Sequence, residues 1–450
     1  MSKRLLIIDV ASNCLDLAMR AKMAGWDVKW YDKPRGDGSQ RLAGKGVIDK
    51  IDDYGELRRK WLDWADLIYL PDNIAYLDML EPYRLKGYPI LAPSVEAAKL
   101  ELDRDAGQKA MRDAGIQVMK SKAFFDYDEA LAFAKKHPNF LVSKPSGDAN
   151  KALSYVASDL ADLEYMLIDR WKARPELRAA AKKDGFILQE KKVGIEMAVG
   201  GWFGPGGWNG WFYENWEYKK LLADDLGVAT GEMGTLSRMV RKSKLAEQVL
   251  LPITPILEKL GYVGYIDNNC IIDQDGPWPM EWTMRDGWPS KHNVTAHVKN
   301  EDPVQWMLDL LNGKDTMECI ENEVCVSVLV ALPDFPYSRV TNKELRGIPI
   351  RGADDLEHVH LCEAMIGEAP VMVGERAVRL PTWVTCGDYM AVITGTGSNI
   401  TSARRSAYAA ASKMKKTPNN PFYRPDIGAG RMKKQLPELH KMGYAKGLEF

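Results

Sequence analysis

The sequence lacks any apolar run that approaches the roughly 20 residues a membrane-spanning helix needs, so no membrane partner is expected. It also lacks a net field. Lys and Arg number 61 against 62 Asp and Glu, a formal charge of −1, so charge gives no indication of nucleic acid or an anionic surface as a partner. Cysteine is sparse. The six positions (14, 270, 319, 325, 362 and 386) include no C-x-x-C pair, which argues against a disulfide framework and for free thiols in a reducing cytoplasm. The six histidines show no zinc-like spacing. There are no internal repeats and no low-complexity tract. The start, MSKRLLIIDV, enters a β-like run without a cleavage site, so no signal peptide is expected.

What remains is ordinary globular material, 450 residues with 46% hydrophobic and 27% charged, long enough for two to four domains. RLLIIDV (4–10), WDVKWYD (26–32), ADLIYL (65–70) and YPILAP (88–93) alternate with helical patterns, which predicts a parallel sheet covered on both faces. Residues 94–116 read as two helical segments, followed by strands at 118–125 and 140–146 and helices over 127–136 and 157–173. Residues 186–203 read as a hairpin-like strand pair, and 204–217 as a loop rich in Gly and Trp. A helical stretch over 243–260 must turn or kink at Pro252 and Pro255. Strands at 263–272 and 278–284 close this part. VCVSVLVAL (324–332), YMAVITGTG (389–397) and a helix over 402–414 suggest a C-terminal α+β unit. The basic segment after Pro425 reads as a solvated tail.

The most informative stretch is ATGEMG, 229–234. Lys219-Lys220 stands ten residues upstream, and GPWPMEWTMRDGWP (276–289) follows about fifty downstream. Glu281, Thr283 and Arg285 alternate, so all three face one side of a strand. A Gly-rich loop can hold a small anion, the lysines can neutralise phosphates, and the strand can present hard oxygen ligands to magnesium near a γ-phosphate. That is the equipment of a nucleotide-dependent ligase.

These motifs, in this order, resemble the ATP-grasp ligases and, within them, the phosphoribosylamine–glycine ligase family, over nearly the whole chain. KKLLADDLGVATGEMG keeps Lys219, Asp225, Gly227, Thr230, Gly231, Met233 and Gly234 at the family spacing. MEWTMRDGWPS keeps Glu281, Arg285, Gly287 and Pro289 of Leu-Glu-Phe-Asn-x-Arg-x-Gly-Asp-Pro-Glu, with Thr283, Trp288 and Ser290 substituted. RSAYAA (405–410) and YRPDIG (423–428) also agree with the family.

The resemblance implies an ATP-grasp fold with an N-terminal doubly wound parallel-sheet domain over 1–100, two ATP-grasp subdomains over 101–323, a C-terminal α+β domain over 324–430 and a tail over 431–450. It implies a cytoplasmic enzyme of purine biosynthesis, monomer or homodimer. Such an enzyme uses ATP and Mg²⁺ (or Mn²⁺) to join an amino acid carboxylate, glycine, to phosphoribosylamine through an acyl phosphate. Lys144 matches the strand lysine of the nucleotide site and Lys151 the loop lysine, while Arg104 falls where the family has a phosphate-binding lysine. Glu190 and Lys192 would read adenine through backbone groups, and Glu196 would accept from the ribose hydroxyls. Glu281, Asn269 and Thr283 would hold the metal. Lys144, Lys219 and Arg285 would serve catalysis. Asp72, Asp225, Thr230, Gly231, Glu232, Gly234 and Arg285 would bind substrate.

Several positions depart from the family. The flap around Lys151 has Asn150 and Ala152 in place of glycines. The first-strand loop VASNCLD (10–16) lacks the Gly-Gly-Arg-Glu-His pattern found near the phosphoribosyl group, and Glu232 replaces a glycine. A different amine acceptor, or a nucleotide-binding scaffold with impaired catalysis, therefore stands beside the main reading. Trp202, Trp208, Trp211 and Trp216 could bind a planar group or form a local core.

Overall fold

The computed structural model describes residues 2–145, 154–337, 343–354 and 357–450; Lys151 lies outside them. The chain forms two compact units. One comprises Met1–Ala98, Met197–Asn268 and Thr283–Phe450, and the other Lys99–Glu196 and Asn269–Trp282.

The first unit opens with β1 (Arg4–Asp9), β2 (Asp27–Asp32), β3 (Asp49–Ile51), β4 (Leu67–Tyr69) and β5 (Ile90–Leu91), all pairing in parallel in the order β3-β2-β1-β4-β5. The run RLLIID is nearly all apolar because both faces of this strand are covered. Leu5 and Ile7 join one core cluster while Leu6 and Ile8 join another, as the alternation of side chains along a strand requires. The short β3 carried no sequence signal.

In the second unit, β6 (Ser121–Phe124), β7 (Val142–Pro145), β8 (Tyr155–Val156) and β9 (Phe186–Gln189) form an antiparallel sheet in the order β6-β9-β7-β8. Its core contains Phe124, Tyr127, Leu131, Leu163, Trp171, Phe186 and Leu188. The break between Val95–Leu102 and the helix Arg104–Asp113 has a local cause. Asp103 adopts an extended backbone and accepts the N–H groups of Asp105 (3.0 Å) and Ala106 (3.1 Å), so it caps a new helix and ends the old one.

The remaining strands are β10 (Ile195–Gly204), β11 (Gly207–Glu217), β12 (Thr235–Val240), β13 (Gly264–Asp273), β14 (Gly276–Thr283), β15 (Val324–Ala331), β16 (Val359–Leu361), β17 (Ala364–Val373), β18 (Arg376–Thr385) and β19 (Tyr389–Gly397). Strand neighbours run β14-β13-β10-β11-β12-β15-β19-β16, and β17 and β18 make a separate hairpin. The helix Ile400–Met414 packs on β15 and β19. A capping box starts it. Asn399 accepts the Ser402 N–H (2.8 Å) while its own N–H donates to Ser402 Oγ (3.2 Å).

Three expectations are corrected. Residues 186–203 do not form a hairpin, because β9 pairs with β6 and β7 while β10 pairs with β11. The stretch 204–217 is mostly strand rather than loop. Its tryptophans are core: Trp202, Trp211 and Trp216 are all less than 5% exposed, and the half-buried Trp208 donates its Nε1–H to Thr254 Oγ1 at 2.9 Å. A strand buried on both faces shows no apolar–polar alternation, so the glycines dominated the sequence reading. The segment after Pro425 is not a solvated tail. It holds the helix Arg431–Lys441, whose Met432, Leu436 and Leu439 are buried, and Tyr444 and Leu448 beyond it are buried too. The 432/436/439 spacing is one face of a helix and was legible.

A core role for these tryptophans has a measurable consequence. Trp211→Ala and Trp216→Ala should each lose about 3–5 kcal/mol of stability in equilibrium urea unfolding. A loss below about 1 kcal/mol in both would show that the rings do not hold the sheet.

Candidate functional site

In a doubly wound sheet, ligands bind outside the carboxyl ends of the strands where strand order reverses. Here β1 lies between β2 and β4, so that place is the exit of β1 and β4, the loops 10–14 and 70–74. Asp9 ends β1 fully buried, and its Oδ1 accepts the Ala11 N–H at 2.9 Å. Ser12 follows in the left-handed region, φ 63°, a conformation costly for a residue with a Cβ. Its hydroxyl donates to Asp32 Oδ2 at 3.1 Å, and Asp32 is ion-paired with Lys50. The helix Leu15–Met23 then begins at Cys14, which makes no side-chain cap. On β4's side, Asp72 Oδ1 accepts the N–H groups of Asn73 (2.7 Å) and Ile74 (3.0 Å), so this expected substrate residue shapes its own turn.

The Lys219-Lys220 pair and the ATGEMG loop meet through their backbones. Lys220 bridges Ala229. The backbone N–H and Oγ1 of Thr230 both donate to the Lys219 carbonyl at 2.8 Å. The N–H of Met233 donates to the Tyr218 carbonyl (2.8 Å), and the Leu329 N–H donates to the Met233 carbonyl (2.9 Å). Gly234 has a structural reason to be glycine. At φ 156°, a Cβ there would lie 2.3 Å from the Ser327 carbonyl oxygen. Gly231 is exposed, with open space around it. Asp225 is an anchor. It pairs with the buried Arg424 (2.8 Å) and with Arg431 (3.2 Å).

Glu232 is buried, and the Thr235 hydroxyl donates to it. Burial pushes its carboxyl well above the usual range, and the neighbouring Glu217 pushes the same way while Lys219 opposes. Lys219 itself pairs with Glu217 at 2.9 Å. Asp267, also buried, is pushed up to about 7 by burial and by Glu217. Burial therefore favours the neutral form of the extra acid at 232, which repels a carboxylate less than an ionised acid would.

Gly231 and Glu232, together with Ser12 and Asn13 of the β1 loop, line a cavity of about 290 Å³. Its other wall comes from Trp288 and from residues no motif had flagged, among them Phe335, Glu363, Asp388 and Tyr389. These lie at strand ends more than a hundred residues downstream of the loop, which only the folded sheet brings near. Arg285 does not share this cavity. It lines a smaller one of about 30 Å³ with Tyr69, Trp202, Tyr265 and Asp286, and its Nη1 donates to the Asp286 carbonyl at 3.4 Å. Thr283 is half-buried at the end of β14.

Histidines that showed no metal-like spacing do converge with an acid. Asp16, His292 and His360 are buried with ligand atoms within 4.8 Å of one another. Asp16 is already engaged by Arg20 (3.0 Å) and by His360 Nδ1 (2.8 Å), and His360 Nε2 lies 2.8 Å from Thr394 Oγ1. This is a buried ion-pair network tying the helix Leu15–Met23 to β16 and β19.

Within the second unit, Arg104 sits in the first turn of its capped helix. Partial burial works against its charge, the nearby Glu281 carboxylate offsets this in part, and Nη1 has no protein partner. Glu281 itself is exposed on β14, and Asn269 is half-buried on β13. Lys144 stands on β7 opposite Ile187 of β9. Glu190 follows β9, its N–H donating to the Lys120 carbonyl (2.8 Å), and pairs with Lys192 at 3.5 Å. The Lys192 ammonium lies 3.6 Å from the Trp278 ring centroid. Glu196 is exposed on β10. The structure thus brings Glu281 near Arg104 and pairs Glu190 with Lys192. A half-buried guanidinium with an unpartnered Nη1 near an exposed carboxylate is a donor set suited to phosphate and a hard cation.

No family model matches the chain. Curated relatives do. A phosphoribosylamine–glycine ligase from Ralstonia nicotianae is 24% identical over 375 residues, 78% of this chain and 80% of the relative. One from Caldanaerobacter subterraneus subsp. tengcongensis is 25% identical over 361 residues, 78% and 81%. Among solved structures, the phosphoribosylamine–glycine ligase of Thermotoga maritima superposes with a TM-score of 0.63 at 19% identity, covering 94% of this chain and 100% of that one. The biotin carboxylase domain of the Hydrogenobacter thermophilus 2-oxoglutarate carboxylase, solved with MgADP, gives 0.59 at 13%, covering 99% and 100%. The fold is ATP-grasp.

The buried Glu232 makes stability depend on pH. Its folded pKa lies above the unfolded one, so its contribution is complete below about pH 4.3 and is lost as pH rises toward the folded value, at up to about 1.4 kcal/mol per pH unit. Urea unfolding of the wild type should therefore weaken between pH 5 and pH 8, and Glu232→Gln should weaken less. Identical pH profiles for the two proteins would mean that this carboxyl is not the titrating group.

Proposed function

We propose that the chain, a divergent relative of the phosphoribosylamine–glycine ligases with an ATP-grasp fold, is an ATP-dependent ligase joining the carboxylate of glycine to phosphoribosylamine or a related amine. In this reaction a carboxylate oxygen attacks the γ-phosphorus of ATP and ADP leaves. The amine nitrogen then attacks the acyl carbon, the C–O bond to phosphate breaks, and an amide and inorganic phosphate are released. No enzyme nucleophile is required, so the protein contributes positioning and charge.

The observation that carries the reading is the Arg104–Glu281 arrangement, a half-buried guanidinium with an unpartnered Nη1 near an exposed carboxylate. In the proposed roles, Arg104 and Lys144 hold phosphate oxygens of ATP. The loop lysine Lys151 assists, the backbone around Glu190 and Lys192 meets the adenine, and Glu196 accepts from the ribose. Glu281 is the principal ligand for a divalent cation, magnesium or manganese, with the amide oxygen of Asn269 and the hydroxyl of Thr283 as weaker ones. When bound, that cation supplies positive charge against the transferring phosphoryl group. Lys219, beside the ATGEMG loop, and Arg285 stabilise the acyl phosphate and its developing oxyanion. Among the described residues no helix is long and apolar enough to cross a membrane, and a cytoplasmic location fits the reading.

Glu281→Gln tests it. An exposed carboxylate on a strand does not hold a core together, so the variant should keep wild-type unfolding behaviour. Metal-dependent ADP release should fall on the order of 100-fold or more. Near-normal turnover in the variant would remove Glu281 from the site. ATP binding by the wild type without ADP release, for any amine supplied, would favour a nucleotide-binding scaffold.

A further inference from the structure

The cluster of Asp16, His292 and His360 brings one carboxylate and two imidazoles together from three separate segments, the helix Leu15–Met23, the helix Ser290–His297 and β16. All three side chains are buried, and their ligand atoms lie within 4.8 Å of one another. One oxygen faces both rings. Asp16 Oδ2 is 2.8 Å from His360 Nδ1 and 3.9 Å from His292 Nδ1. Ligand atoms held about 2.0–2.2 Å from a tetrahedral zinc ion stand about 3.4 Å apart, so the triangle has the dimensions of three corners of such a shell.

The other nitrogen of each ring has its own neighbour. His292 Nδ1 is buried with no hydrogen-bond partner among the described residues, a polar atom left for something else to satisfy. Its Nε2 faces the Cys362 sulfur at 4.0 Å, and a proton there leaves the Nδ1 lone pair directed at Asp16. Burial pushes this ring well below its ordinary pKa, toward the neutral form that binds a metal. His360 Nε2 lies 2.8 Å from the buried Thr394 Oγ1, the kind of partner that orients a metal-binding imidazole.

Asp16 also receives Arg20 Nε, 3.0 Å from each of its oxygens. A carboxylate has about four lone-pair sites, so Oδ1 can keep the guanidinium while Oδ2 serves an ion. Arg20 and Lys291 both oppose positive charge at His292. Such surroundings disfavour a hard ion held by charge and leave imidazole bonding to select the metal. There is also an entry path. Trp288 and Cys362 line the cavity of about 290 Å³, and both meet His292, the ring centroids of Trp288 and His292 lying 4.8 Å apart.

We propose that Asp16 Oδ2, His292 Nδ1 and His360 Nδ1 bind a zinc ion, with a fourth position left for water, and that the ion fastens the helix after β1 to β16. The site uses none of the residues proposed to hold magnesium, and it stands whether or not the chain is a ligase.

The full chain, stripped with a chelator and dialysed, is titrated with Zn²⁺ by calorimetry in excess Mg²⁺, which fills hard-oxygen sites. One zinc should bind per chain. Thr394→Val keeps all three ligands and should weaken zinc binding about tenfold, and His292→Gln should weaken it more. X-ray absorption of the zinc-loaded wild type should show two imidazoles and no sulfur around the metal. The absence of stoichiometric zinc binding overturns the proposal, and so does wild-type affinity in a folded His292→Gln. If that variant fails to fold by circular dichroism, the wild-type absorption spectrum decides. Two imidazoles without sulfur uphold the site, and fewer imidazoles or any sulfur overturn it.

Discussion

The chain leaves β1 where the strand order reverses, and this topological constraint governs one end of the candidate site. A strand flanked by β2 and β4 must release its next residues into a crevice that no neighbouring crossover can cover. The loop that does so has little room. It turns through a left-handed Ser12 held by Asp32, with Asp9 buried beneath. A glycine would adopt that turn at no steric cost. Serine adopts it because its hydroxyl has a fixed acceptor, so the acid at 32 and the hydroxyl at 12 form one device.

Burial decides how those carboxyl groups behave. Glu232 is enclosed, accepts the Thr235 hydroxyl, and lies near Glu217 and Asp267; removing it from water costs more than Lys219 returns, which shifts its carboxyl toward the neutral form. Asp225, equally acidic in composition, is half-exposed and met by two arginines, Arg424 and Arg431. Burial biases one acid toward its neutral form and pairing makes the other a structural anchor, though only seven residues separate them.

Much of the fold was legible. The β-α-β alternation of the first hundred residues, the two helical segments over 94–116 and the strand bearing Glu281 were all set by local pattern, which sequence carries well. The backbone contact between Lys219-Lys220 and Ala229-Thr230 was not among the sequence expectations, which gave both segments side-chain or anion-binding roles. What escaped was non-local. β9 and β10 are adjacent in sequence but belong to different sheets, a choice made by partners elsewhere in the chain. Strand β11 is buried on both faces, so its tryptophans gave no alternation and read as a loop. The cavity wall at Phe335, Glu363, Asp388 and Tyr389 has no motif, because its residues are neighbours only through strand pairing. The network of Asp16, His292 and His360 spans 344 residues of sequence and could not be read from spacing. The amphipathic 432/436/439 face was a true local signal that basic composition obscured.

One core cluster unites Leu5 and Ile7 with Tyr213, Tyr265, Val330 and Met414. A core assembled from such distant pieces cannot close while the chain is still emerging from the ribosome at residue 200 or 300. Its early strands must wait, with apolar faces uncovered, for partners made last. Folding dominated by such long-range contacts is slow and exposed to aggregation. The second unit gathers its sheet from residues 121–189 and can form ahead of the rest. In the cell the nascent first unit would be a natural client for chaperones, and its yield on overexpression should respond to their supply more than to any single contact within the finished molecule.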